Sequence, residues 1–113
     1  MKVDKKIVEV EVSSTFKVGP FEIEMVGLTH SIPEMHAIAI RTDKGTVLHT
    51  GDWKLDADPL VGPITDEERL RHLGDEGVLA MICDSTNVFV EGESGSEADV
   101  RKGLVEAISE CQG

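Results

Sequence analysis

From residue 7 the chain reads IVEVEV, apolar residues alternating with glutamates through Val12. That two-residue period predicts a strand with one face buried. Lys17-Val18-Gly19-Pro20 supplies a turn, and FEIEMV from Phe21 to Val26 alternates again, so the pair reads as a hairpin. A loop, THSIPEMH, follows, with Pro33 breaking any regular pattern. A third strand is expected over AIAIRT (Ala37 to Thr42), a turn at Asp43-Lys44-Gly45, and a fourth strand over TVLHT (Thr46 to Thr50), ended by Gly51-Asp52. The pattern then changes. After a polar loop, KLDADPLVGPI, the segment Thr65-Asp66-Glu67-Glu68 reads as a capping box opening a helix that stops at Gly74. GVLAMIC (Gly77 to Cys83) is continuously apolar, which predicts a strand covered on both faces. Asp84-Ser85-Thr86-Asn87 and a glycine- and serine-rich stretch, EGESGS, lead to a last helix near Ser96, with Asp99 completing a second capping box. Val100, Leu104, Ala107, Ile108 and Cys111 form one apolar stripe on that helix, and in so short a chain the sheet is the expected cover for it. The fold class is therefore α/β, with about five mostly antiparallel strands and two helices.

Composition narrows what such a domain does. The 113 residues suit one small domain, and a 40% hydrophobic content suffices for a core. No apolar run is long enough to span a bilayer, and the N-terminal lysines are not followed by an apolar h-region, so a cytoplasmic protein is expected. Eleven basic residues against 22 acidic ones give a formal charge of −11. Such a surface repels phosphate, and there is neither a basic stripe nor a set of aromatics for base stacking. The chain alone is thus expected to bind nucleic acid poorly, which argues against a free-standing nucleic-acid binder but not against a nuclease that grips its substrate elsewhere. Cys83 and Cys111 lack CxxC spacing, so no zinc–thiolate site is indicated. Cys83 reads as a buried, inert thiol and Cys111 as part of a helix face; nothing in their context supports a disulfide.

Three polar clusters stand at predicted strand ends: Thr29-His30-Ser31, Thr50-Gly51-Asp52 and Asp84-Ser85-Thr86. Loops at strand ends hold functional groups over a rigid sheet. A catalytic metal takes neutral imidazole and carboxylate ligands, so His30 and Asp52 have the right chemistry if their strands are neighbours. Gly51 would let the backbone turn tightly enough to aim the carboxylate inward. Taken singly, each cluster has a plainer reading. A lone loop histidine more often forms a surface hydrogen bond, Thr-Gly-Asp is a common turn, and Asp84-Ser85-Thr86 reads as an Asx or Ser/Thr turn. His36, His49 and His72 show no partner spacing and read as structural, and Lys54 reads as a solvated charge.

Taken together and in order, the segment THSIPEMHAIAIRTDKGTVLHTGDWKLDADPLVG, then LGDEGVLAMICDSTN, then GESGSEADV, closely resembles the ribonuclease J family, the branch of the metallo-β-lactamase superfamily that carries a β-CASP insertion. The likeness runs from about Val18 to Val105. It implies a partial metallo-β-lactamase (αββα) fold in residues 1–92, with the start of the β-CASP domain, its first helix, in 93–113. It also implies that His30 ligates one zinc ion and that Asp52 bridges two. Asp84, Ser85 and Thr86 would lie beside the cleft without ligating. The implied chemistry is hydrolysis of an RNA phosphodiester, by exonucleolytic attack from the 5′ end or by endonucleolytic cleavage. The family's HxHxDH cluster, which supplies most ligands and the proton-transfer aspartate, has no counterpart here, and neither has its last ligand histidine. Glu34-Met35-His36 also departs from the aspartate and small residue usual after that proline. Since a zinc site takes three or four protein ligands, the resemblance implies a piece that is inactive in isolation and binds zinc weakly or not at all. It implies too that a sheet face covered in the parent is bare here and invites self-association into homo-oligomers. The competing readings are a stand-alone acidic interaction module that recognises a protein partner through its last helix, or part of another metallo-β-lactamase-fold hydrolase.

Overall fold

The computed structural model describes residues 7–93 and 95–111; the lysine-rich start, Ser94 of the glycine- and serine-rich stretch, and 112–113 lie outside the described residues. The elements in chain order are β1 (Thr15–Val18), β2 (Phe21–Gly27), β3 (His36–Thr42), β4 (Gly45–His49), α1 (Glu67–Glu76), β5 (Ala80–Ile82) and α2 (Glu97–Glu110). The strands form one sheet in the order β1-β2-β3-β4-β5, the first four antiparallel and β5 parallel to β4. This is the expected α/β mix of five mostly antiparallel strands and two helices.

The first hairpin is not the expected one. Val18 pairs with Phe21, so Gly19 and Pro20 form its loop, with Gly19 at φ +58°. Counting back from the Thr15–Glu24 pair, Val12 would face Gly27, where β2 ends. Residues 7–11 therefore have no partner strand, and the alternating IVEVEV segment is not a strand but an exposed lead-in. Ser13, at φ +56°, bends the chain just before β1.

Val26, Leu28, Ala37, Ala39, Leu48 and Leu73 make the core, with Met35, Leu70 and Val78 packed against it. The register puts Glu24 opposite Ala39, Val26 opposite Ala37, and Ala39 opposite Leu48, so these residues share one sheet face, and α1 covers it with Leu70 and Leu73. Glu24 lies on that covered face and is bound by Arg69 of α1 through both oxygens and by Arg41 of β3 at 2.6 Å. Glu76 in turn accepts from both arginines at 2.9 Å. A carboxylate under a helix is tolerable only with such partners.

Other expectations also shift. The N-cap of α1 is Asp66, whose side chain accepts from the Arg69 amide, and the helix runs past Gly74 to a cap at Gly77. Thr65 is drawn away from capping by a buried partner described below. The apolar run before Cys83 is not covered on both faces: β5 is the sheet's edge strand, with Leu79, Met81 and Ile82 largely exposed. Cys83 is accordingly an exposed free thiol, as is Cys111. Helix α2 starts as expected, Ser96 and Asp99 forming a reciprocal capping box, but the sheet does not cover its stripe; Val100, Leu104 and Ile108 are exposed. Among the described residues no helix is long and apolar enough to cross a membrane.

Candidate metal-site loops

Strand direction decides which loops can meet. β2 and β4 are both antiparallel to β3, and β5 is parallel to β4, so β2, β4 and β5 all point the same way. The segments leaving their C-terminal ends carry His30, Asp52 and Asp84 respectively. The three polar clusters thus lie at one end of the sheet.

Two links draw them closer. Thr29 and Lys54 form an isolated antiparallel bridge, with the Lys54 amide donating to the Thr29 carbonyl at 3.1 Å. The next residue after Thr29 is His30, and Asp52 lies two before Lys54. The Trp53 indole N–H donates to the Asp84 carbonyl at 3.1 Å, fastening the third loop to the second.

A buried pair of hydroxyls braces the first link. The Thr29 amide donates to Thr65 Oγ1 at 2.9 Å, and the Thr65 amide donates to Thr29 Oγ1 at 2.8 Å. Thr29 Oγ1 also donates to the Pro63 carbonyl at 3.2 Å. This exchange removes Thr65 from the helix cap, which passes to Asp66.

Gly51 sits at φ +63°, and a Cβ there would approach Met35 Cε to 2.6 Å. The positive φ favours glycine beside Asp52, whereas the Met35 methyl, at the end of a flexible side chain, could move aside. His30 is half-buried, and its Nδ1 is buried without a hydrogen-bond partner among the described residues. Asp52 is exposed and Asp84 half-buried. Asp84 accepts from the Thr86 amide at 2.9 Å and from the Thr86 hydroxyl, the expected Asx turn. Those bonds, the hydroxyl's first, hold its carboxyl below the usual range, and the charge of nearby His30 adds a smaller pull in the same direction. Ser85 and Thr86 are exposed.

Two of the other histidines have local bonds: His36 Nδ1 lies 2.5 Å from the Glu34 carbonyl, and His49 Nδ1 accepts from the Gly51 amide at 3.0 Å. Lys54 is not a solvated charge. Its ammonium donates at 2.9 Å to Asp56, whose side chain is wholly inaccessible. Asp56 also accepts from the Asp58 amide at 3.0 Å and the Glu97 amide at 2.8 Å. Those two amides, followed by Lys54, lower its carboxyl to about 2. Sequence reasoning passed over Asp56 and read Thr65 and Glu97 only as parts of helix starts, missing their partners across the fold; for Asp56 the Asp-Ala-Asp spacing of an Asx turn was the available signal.

Loop convergence does not amount to a full metal centre. Among the described residues, no group of three or more His, Cys, Asp or Glu side chains is placed to hold an ion. An unpaired imidazole nitrogen and a nearby carboxylate loop suit a divalent metal in donor type, but they fall short in number.

No family model matches the chain. Its sequence is 56% identical to a ribonuclease J of Sinorhizobium meliloti over 96 residues, which are 85% of this chain and 17% of that protein. It is 46% identical to a ribonuclease J of Corynebacterium glutamicum over 107 residues, 95% of this chain and 15% of that protein. The chain therefore spans less than a fifth of the length of these curated relatives. Among solved structures, a protein of unknown function from Enterococcus faecalis superposes with a TM-score of 0.65 at 18% identity, covering 96% of this chain and 26% of that one. At that identity the likeness concerns the fold alone.

Proposed function

We propose that this chain, which belongs by sequence to the ribonuclease J family, is a segment of a metal-dependent ribonuclease that uses zinc, inactive in isolation. Residues 1–92 are a piece of the metallo-β-lactamase domain, and 93–113 begin the β-CASP domain. His30 and Asp52 are two of the zinc ligands, and Asp84, Ser85 and Thr86 flank the cleft. The substrate of the whole enzyme is RNA. The observation that carries this reading is the convergence of the His30 and Asp52 loops at one sheet end, joined by the Thr29–Lys54 bridge. When bound, zinc would neutralise phosphodiester charge and make water a better nucleophile. The chain's own part is to orient the imidazole and the carboxylate. Gly51 permits the turn beside Asp52, and the Thr29–Thr65 pair fixes the backbone beside His30.

An RNA-cleavage assay tests this. The chain alone, with zinc, is expected to leave RNA intact. The longer protein containing this sequence is expected to cleave it only with metal, and to lose at least about 100-fold in rate on His30→Ala or Asp52→Ala, since outer-shell changes alone cost 10–100-fold. Full activity in either variant would overturn the assignment. A second reading, an acidic interaction module, is favoured by the exposed apolar stripe of α2. It predicts a protein partner whose binding is lost on Leu104→Asp and unchanged by His30→Ala.

A further inference from the structure

The first turn of α2 is fastened by carboxylates, with no buried apolar residue anywhere along the helix. Glu97, its first residue, donates its amide to Asp56 at 2.8 Å. The Glu97 side chain accepts from the Ser31 hydroxyl through one oxygen and from the Leu60 amide, at 3.0 Å, through the other. Asp56 also accepts from Lys54. Ser31 adjoins His30, and Lys54 is the residue bridged to Thr29. Two carboxylates therefore connect one helix end to both loops of the candidate site.

We infer that Asp56 and Glu97 are positioning residues: they tie the His30 loop and the Asp52 loop to the start of α2, so that displacement of the helix displaces the site. The inference rests on the reading of His30 and Asp52 as metal ligands. Its physical basis is the sparse apolar anchorage of α2: among the described residues Leu60 and Val61 line a groove beside it, but none of its own residues is buried. A helix held by apolar packing tolerates loss of one hydrogen bond, whereas α2 meets the rest of the described chain mainly through these bonds. Loss of the Asp56 carboxylate would also take their acceptor from the Lys54 ammonium and from the Glu97 and Asp58 amides, which is costly because the position of the Asp56 side chain itself is closed to water.

The test is nuclear magnetic resonance on the labelled chain. In Glu97→Ala, the Leu60 amide is expected to exchange at least about tenfold faster and the His30 ring signals to move, while amides of the β2–β3 ladder keep their protection. Glu97→Gln, which keeps the length and an acceptor oxygen, is expected to restore the His30 signals in large part. Asp56→Asn is expected to move the Asp52 and Lys54 signals. If α2 loosens while His30 and Asp52 signals stay unchanged in all three variants, Glu97 and Asp56 serve the helix alone and the inference fails. A parallel zinc titration separates the two claims. Zinc that moves neither His30 nor Asp52 in the longer protein containing this sequence removes the ligand reading and the inference with it. Zinc that moves both, equally in the unaltered chain and the variants, removes the inference and leaves the ligand reading standing.

Discussion

Thr29 and Thr65 bury their hydroxyls against each other's amides, so neither can be made apolar without stranding the other. Thr65→Val keeps the shape but leaves the Thr29 amide without its acceptor. The expected loss is about 1–3 kcal/mol of folding stability, read from the urea midpoint; a change within about 0.5 kcal/mol would mean that the pair contributes little. The same bonds explain why the helix start lies one residue later than the sequence suggests. Thr65-Asp66-Glu67-Glu68 satisfies the capping pattern, but a pattern cannot reveal that the threonine is already engaged by a residue far away in the chain. The Asp84 turn was legible because it stands in a short motif at a strand end, and so was the placement of His30 and Asp52 at strand ends. Asp56 and Glu97 were not, because their roles arise from partners across the fold: Asp56 sits in what reads as a plain polar loop.

At the scale of elements, the junction of α1 with β2 and β3 runs through charge as well as apolar contact. Arg69 first, and then Arg41, hold the Glu24 carboxyl at about 2, well below its ordinary 4.5. A carboxyl depressed in the folded state binds its proton more readily when unfolded. The stability it supplies is therefore present above about pH 4.5 and is lost as pH falls toward about 2. Urea midpoints measured at about pH 6 and about pH 3 are expected to fall for the unaltered chain and to fall less for Glu24→Gln. An equal fall in both would place the acid sensitivity elsewhere. The face that β2 buries does not follow from alternation alone. In FEIEMV the apolar set Phe21, Ile23 and Met25 looks like the buried face. The register instead puts the covered face on Glu22's side, with Glu24 and Val26, and leaves Ile23 and Met25 facing the open side of the sheet. The positions of β2 to β5 and the hairpin at Asp43-Lys44 followed from local pattern, whereas β1 at Thr15–Val18 did not, since the alternating segment before it has no partner strand; which face receives the helix goes with Arg69 and Arg41, which no local pattern couples to Glu24.

At the scale of the whole molecule, the open face is measurable. The radius of gyration is 18.2 Å, against about 13 Å for a compact chain of this length. The accessible surface is 8931 Å², against about 6100 Å² for a compact protein of this mass. The excess is consistent with an uncovered sheet face, the exposed β5 edge and the bare α2 stripe, where Ile38, Met81 and Leu104 all lie open. Such surface drives association. Sedimentation velocity is expected to reveal oligomers that grow with concentration, and a single monomeric species across the range would contradict that expectation. The most direct test of the account as a whole is a zinc titration of this chain, followed by calorimetry and by the His30 and Asp52 resonances, alongside His30→Ala and Asp52→Ala. Weak binding is expected, far short of the submicromolar affinity of a four-ligand site, centred on those two residues and lost in either variant. Tight one-to-one binding, or binding that neither substitution alters, would contradict it.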